Sequence, residues 1–184
     1  MGSRDPHFER NRFGARGSYF YFRGDLSRTQ DLPWGLVLFA KVQGQAAGRP
    51  LVNSEQFGGG GLATARGYLE AEALGDNAIF GTLELRSPSV FVTKRKIGEG
   101  ENAIEESTGN EWRFYGFCDV GTTTLHDPLP DQESSSRLAS IGVGSRLQLF
   151  DHVNGSVDFA LPLTGLTETD VHDPRVTFRV WADF

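Results

Sequence analysis

A single cysteine, Cys118, and a single methionine stand in a chain of 184 residues. One thiol forms no internal disulfide and builds no zinc site. His7, His126, His152 and His172 lie far apart, all in segments read as loops or turns, so they make no metal-ligating pattern. Cations are in deficit: 18 Lys and Arg face 24 Asp and Glu, a formal charge of −6. That excludes a nucleic-acid partner, which needs a concentrated basic face. Apolar runs of about 18 residues are missing, so no transmembrane helix is encoded. Membrane strands are not excluded, because their alternation averages to a neutral hydropathy. The stretch Met1–His7 lacks the apolar core of a signal peptide. Gly58–Gly61 are followed by no Lys-Ser or Lys-Thr pair, so they form no phosphate loop. No nucleophile elbow is present either. The chain reads as no enzyme, with no cofactor and no metal.

Glycine and alternation are what the chain has in quantity. There are 23 Gly and 11 % aromatic residues, and apolar and polar side chains alternate with period two through most of the length. At the C-terminus, Val176, Phe178, Val180, Ala182 and Phe184 alternate with Arg175, Thr177, Arg179, Trp181 and Asp183. Seven strands are predicted, at about residues 10–25, 34–46, 78–87, 111–123, 137–150, 156–163 and 175–184. Their polar faces carry Lys41, Glu84, Arg86, Arg113, Asp119, Arg146, Asp158, Arg179 and Asp183. Short turns are expected at 29–33 and 151–155, and longer loops at 48–76, 122–136 and 164–174. The charged segment 88–110, with Lys94, Arg95 and Lys96, is read as a loop, and it breaks that alternation of short and long.

Within 48–76, Gly58–Gly61 precede a lone Arg66, then Gly67 and Tyr68. Each glycine loses the most backbone entropy on ordering. Such a run is either a linker or a loop passing close to other backbone. Two architectures fit the strands: part of a transmembrane barrel, or a soluble antiparallel sandwich with one solvated face. Charges at mid-strand and a chain ending on Phe184 favour a barrel with a wet lumen.

The segment Gly60-Gly61-Leu62-Ala63-Thr64-Ala65-Arg66-Gly67-Tyr68 resembles the lumenal-loop signature of the POTRA–barrel superfamily of outer-membrane transporters. Phe117-Cys118-Asp119-Val120-Gly121 resembles the Phe-x-Asp-x-Gly signature of its barrel wall. Leu51–Glu55, Gly75-Asp76 and Glu84–Pro88 are further similar to the haemolysin secretion/activation branch, the transporters of two-partner secretion. The resemblance implies an all-β fold, an antiparallel transmembrane β-barrel portion of about seven strands out of sixteen. Residues 1–184 would form the C-terminal part of the barrel, with 48–76 a Gly-rich loop inside it. Signal peptide, plug helix and POTRA domains would belong to a longer parent in the bacterial outer membrane.

The same resemblance implies the site. Gly60, Gly61, Arg66, Gly67 and Tyr68 carry the loop signature, and Phe117, Asp119 and Gly121 the wall signature. By alternation Asp119 points into the lumen, so an Arg66–Asp119 ion pair is expected. Phe178, Val180, Ala182 and Phe184 resemble the signal read by barrel-assembly machinery. Glu70 and Glu72 are read as solvated, and Cys118 as an outward packing residue. The implied partners are a secreted exoprotein of haemolysin or adhesin type, the parent's POTRA domains, outer-membrane lipid and lipopolysaccharide. The implied function is export of that exoprotein through the barrel. A barrel-assembly insertase of the same superfamily and a soluble β-sandwich binding module are the rivals.

Overall fold

Backbone N–H and C=O groups in a chain nearly without helix must find partners between strands. In the computed structural model, which describes residues 19–97, 104–150 and 152–183, they do so in one antiparallel sheet. Its strands are Tyr21–Asp31 (β1), Val37–Ala47 (β2), Asn77–Arg86 (β5), Ile104–Thr124 (β7), Ser135–Leu149 (β8), Val153–Pro162 (β9) and Arg175–Ala182 (β10), paired in that order. A short strand, Val92–Ile97 (β6), pairs with the beginning of β7. Phe57–Gly59 (β3) and Ala73–Gly75 (β4) form a separate two-stranded ribbon inside the 48–76 segment. Among the described residues β1 and β10 each have one neighbour, so the sheet is open.

Alternation gives the sheet two unlike faces. Leu83 and Val120 point outward and are 47 % and 56 % exposed, whereas Glu84 and Asp119 point inward and are 4 % and 2 % exposed. The outward face is apolar from edge to edge, through Leu26, Val42, Ile79, Phe114, Val143, Val157 and Phe178. The buried cluster of Phe57, Ala65, Tyr68, Ala73, Phe80 and Leu138 lies on the other face, under the 48–76 segment. A sandwich would put its second layer on the apolar face. Here the ribbon β3–β4 lies on the polar one, where Phe57 stacks on Phe80 at 5.6 Å. An apolar face left uncovered fits lipid as its solvent.

Glycines on the inward face receive aromatic rings from the next strand. Phe80 lies over Gly121, Phe117 over Gly142, and Tyr115 over Gly144, each its direct cross-strand partner. A Cβ at any of these glycines would overlap the ring.

The structure corrects several expectations. The first strand runs Tyr21–Asp31 rather than 10–25, and residues 10–18 lie outside the described residues. Tyr21 and Phe22, the end of the aromatic stretch, therefore start the strand, and the polar stretch to Asp31 continues it. The turn falls later, on Pro33–Gly35, where Trp34 and Gly35 have φ of +64° and +74°. Trp34 is thus a turn residue, not the start of β2. The segment 88–110 is not a loop throughout, since β6 and the first residues of β7 form a hairpin that prolongs β7 to 21 residues. Lys94–Lys96 lie on β6. The expected alternation of short and long connections then holds on either side of it: β1–β2 and β8–β9 are joined by short turns, and β2–β5, β7–β8 and β9–β10 by longer segments.

Cys118 is exposed on the outward face of β7. With the chain refolded in lipid vesicles, we predict that it reacts with an apolar maleimide and resists a charged, membrane-impermeant thiol reagent. Rapid labelling by the charged reagent would put this face in water.

Candidate functional site

The segment between β2 and β5 folds back over the inward face and is tied down at both ends. The Asp76 carboxylate accepts from the Leu51 N–H at 2.9 Å and from the His126 N–H at 2.7 Å. The Gln45 amide donates to the carbonyls of Glu55 and Asp76, both at 3.1 Å. Gly60 and Gly61, with φ of +108° and +84°, turn the chain. A Cβ on Gly60 would overlap the Leu69 carbonyl, and one on Gly61 the Glu70 carboxylate. The Thr64 hydroxyl accepts from the Gly60 N–H at 2.8 Å and closes the turn.

The turn delivers Arg66 to the sheet, where it is 6 % exposed. Its Nε and Nη2 donate to the two oxygens of Asp119 at 2.7 and 2.9 Å, the bidentate geometry that suits a planar guanidinium. The Arg66 backbone N–H also reaches Asp119 Oδ2, at 3.1 Å. Nη1 donates to Glu84 on β5 at 2.7 Å and to Asp158 on β9 at 3.3 Å. The guanidinium carbon sits 3.5 Å from the ring centre of Phe117, within cation–π range. Carboxylates from three strands and one aromatic face thus enclose a single cation.

Strand β8, between Asp119 and Asp158, presents Gly142 and Gly144 at this level. Their missing side chains admit the rings of Phe117 and Tyr115. Tyr115 extends across Gly144 to donate its hydroxyl to Asp158 at 2.8 Å. Glu84 is shared, because its second oxygen accepts from Arg86 at 2.7 Å. Arg66, Arg86, Glu84, Asp119 and Asp158 together sum to a formal charge of −1. Burial opposes the charge of Arg66. The hydrogen bond and Coulomb attraction of Asp119, then of Glu84, outweigh that and hold its pKa above the ordinary arginine value.

Two further contacts fasten the loop to its neighbour. Gly67, at φ +94°, lies so close to Ala160 and Pro162 that a Cβ would be 3.3 Å from each. The Tyr68 hydroxyl lies 2.8 Å from the carbonyls of Ala139 and Thr164, and accepts from the Ala139 N–H at 3.1 Å. Glu72 accepts from the Leu69 N–H at 2.9 Å, the Glu168 N–H at 3.1 Å and the Thr169 hydroxyl at 2.6 Å. Glu72 is therefore not a solvated loop charge. It clamps the Arg66 loop to the segment between β9 and β10.

The structure brings Arg66, Phe117 and Asp119 together, with Gly67 and Tyr68 in the adjoining contacts. Gly60 and Gly61 shape the turn without touching the cage. Gly121 stands under Phe80, inside the core below the loop. Phe178, Val180 and Ala182 lie exposed on edge strand β10, and Phe184 lies outside the described residues. Sequence reasoning placed Glu84 and Asp158 on polar faces but not around Arg66, and it missed Tyr115, Gly142, Gly144 and Glu72. For Gly142 and Gly144, two glycines alternating on a polar face opposite two aromatics were the available signal.

The sequence profile of the haemolysin secretion/activation protein family ShlB/FhaC/HecB matches residues 3–147, which is 145 of the 184 residues. The chain belongs to this family, whose members are outer-membrane transporters of two-partner secretion. The matched span includes Arg66, Glu84 and Asp119, while Asp158 and the segment that Glu72 clamps lie beyond it. No curated protein is similar enough to the chain to register as a relative.

Two substitutions separate the cage from the clamp. Asp119→Ala leaves a buried guanidinium without its bidentate partner and is expected to cost about 3 kcal/mol, read as a shifted urea midpoint for the chain refolded in lipid. Glu72→Ala should shift that midpoint less, by about 1 kcal/mol, because it leaves the Thr169 hydroxyl without its acceptor. It should also speed hydrogen exchange at the Leu69 and Glu168 amides by about tenfold, since each loses a charged acceptor.

Proposed function

We propose that this chain forms part of the barrel of a transporter that passes one large exoprotein across the bacterial outer membrane. Residues 1–184 supply the C-terminal strands, and β1 and β10 pair with further strands, because lipid tolerates no open sheet edge. The 48–76 segment lies in the lumen as the transporter's conformational element. Arg66, Gly67 and Tyr68 on the loop, and Phe117, Asp119 and Gly121 on the wall, are the residues that hold it. Phe178, Val180, Ala182 and Phe184 carry the signal for the barrel-assembly machinery.

The observation that supports this reading best is the Arg66 cage. A loop belonging to one hairpin reaches across β5, β7 and β9 to bind their inward carboxylates. On a barrel wall, that contact spans the lumen side of four adjacent strands and occupies the space through which a polypeptide would pass. Contacts of this type set a conformation more than they add stability. Released, the loop would clear the wall. Retained, it narrows the path.

The reciprocal exchange of Arg66 and Asp119 is not a clean test of pairing, since a carboxylate at position 66 would also face Glu84 and Asp158. Single substitutions serve better. Deleting the locus that encodes this chain is expected to remove one exoprotein from the culture supernatant, and the wild-type locus to restore it. Restoration should fall at least tenfold with Arg66→Ala or Asp119→Asn while the protein remains in the outer membrane at wild-type level. Loss of many unrelated outer-membrane barrels on deletion would favour the insertase. An unchanged supernatant would overturn the export reading.

A further inference from the structure

The chain is acidic overall, yet one side of its inward face is not. Below the Arg66 cage lies a cavity of about 370 Å³ lined in part by Lys41, Arg86, Arg146, Arg179 and Trp181. Arg86 is paired with Glu84, and the caged set carries −1 in all. Among the described residues Lys41, Arg146 and Arg179 have no carboxylate within ion-pair distance, so with the caged set at −1 the described charges around the cavity sum to a formal +2. The neighbouring Arg113 is matched by Glu111 at 2.8 Å and does not add to this.

The register makes the arrangement specific. Arg146 on β8 and Arg179 on β10 stand directly opposite Ser156 of β9, one on each side, and Arg113 stands opposite Arg146. Like charges in one cross-strand row repel. The nearest inward carboxylate on the adjoining strand, Asp158, lies one inward step along β9 from that row and is engaged by Arg66 and Tyr115. The guanidiniums of Arg146 and Arg179 are instead 5.2 Å from the Tyr115 ring and 4.9 Å from the Trp181 ring. The Nε of Arg146 is shut off from solvent and meets no acceptor among the described residues. A donor shut off from solvent without a partner calls for an explanation, and an acceptor brought in by a ligand is one.

We infer that this row receives carboxylates of an extended polypeptide, so that the transported chain engages the lumen through acidic side chains. The inference rests on the export reading and names the substrate feature that reading leaves open. With strands about 4.8 Å apart, Arg146 and Arg179 are separated by roughly 10 Å. On an extended chain, carboxylates two or three residues apart are roughly 7–10 Å apart. A segment with acidic residues at that spacing can meet both arginines together. Each contact is a charge-assisted hydrogen bond, and the aromatic faces keep both guanidiniums oriented while the site is empty.

The test uses the whole transporter that carries this chain, in detergent micelles, and a fluorescein-labelled decapeptide of alternating Glu and Ser, followed by fluorescence polarisation at low salt. The Glu peptide should bind about tenfold or more tightly than the same peptide with Gln in place of Glu. Arg146→Gln with Arg179→Gln should abolish that difference, Arg146→Lys with Arg179→Lys should keep most of it, and Arg28→Gln, on the outward face of β1, should leave it intact. Circular dichroism and the urea midpoint confirm that each variant is folded, and the lysine pair gives the answer if the glutamine pair is not. Equal binding of the Glu and Gln peptides, or equal losses in the Arg28 and Arg146/Arg179 variants, would overturn the inference. A chain that binds neither peptide but still restores export would overturn the inference alone. Loss of export with peptide binding intact would overturn only the export reading.

Discussion

A single guanidinium held by three carboxylates is the contact on which the inner architecture turns. Arg66 comes from a loop, and its acceptors come from β5, β7 and β9. Those strands can meet one side chain only if the sheet brings their inward faces around it and β8 yields room between them. Gly142 and Gly144 supply that room. The rings that fill it then become parts of the site, Phe117 beneath the guanidinium and Tyr115 as a donor to Asp158. Cross-strand packing and electrostatics are here one arrangement, so a methyl group on β8 would be felt at the cation.

Period-two alternation made the all-β class, the inward charges and the outward apolar face legible in the sequence. That period depends only on the local pleat. Which inward residues meet each other depends on strand order and register, and alternation carries no information about either. Asp119 was accessible because a family signature names it. Asp158 had no such pointer, the family-like stretch Glu84–Pro88 named no partner for Glu84, and from Arg66 the two are 92 and 18 residues away along the chain. Glu72 looked like a loop charge because its partners are backbone and hydroxyl donors in another loop.

Composition misled in two places for the same reason. The segment 88–110 is rich in Lys, Glu and Gly, residues that strands disfavour, and it was read as a loop although part of it pairs as β6 with the start of β7. The first strand was expected at about 10–25, whereas the paired residues continue through Arg28–Asp31. In both cases pairing with a committed neighbour supplied hydrogen bonds that outweighed a propensity spanning only about 1 kcal/mol.

The cage also bears on how firmly the loop is held. Desolvating four ionised groups costs several kcal/mol apiece, and their mutual attraction offsets this only while the geometry is kept. The gain over a solvated arrangement is therefore small, although losing one partner is severe. Such a contact is strongly ordered when complete, with little net depth to escape if water replaces all its partners at once. Beyond the ties of Asp76 and Gln45 at the ends of the segment, further hold comes from Tyr68 on Ala139 and Thr164 and from Glu72 on Glu168 and Thr169. Those contacts reach the segment joining β9 to β10, so motion of that segment bears directly on the loop. The loop can leave the sheet as a unit only if its clamp opens with the cage, and this couples the loop to the segment joining β9 to β10.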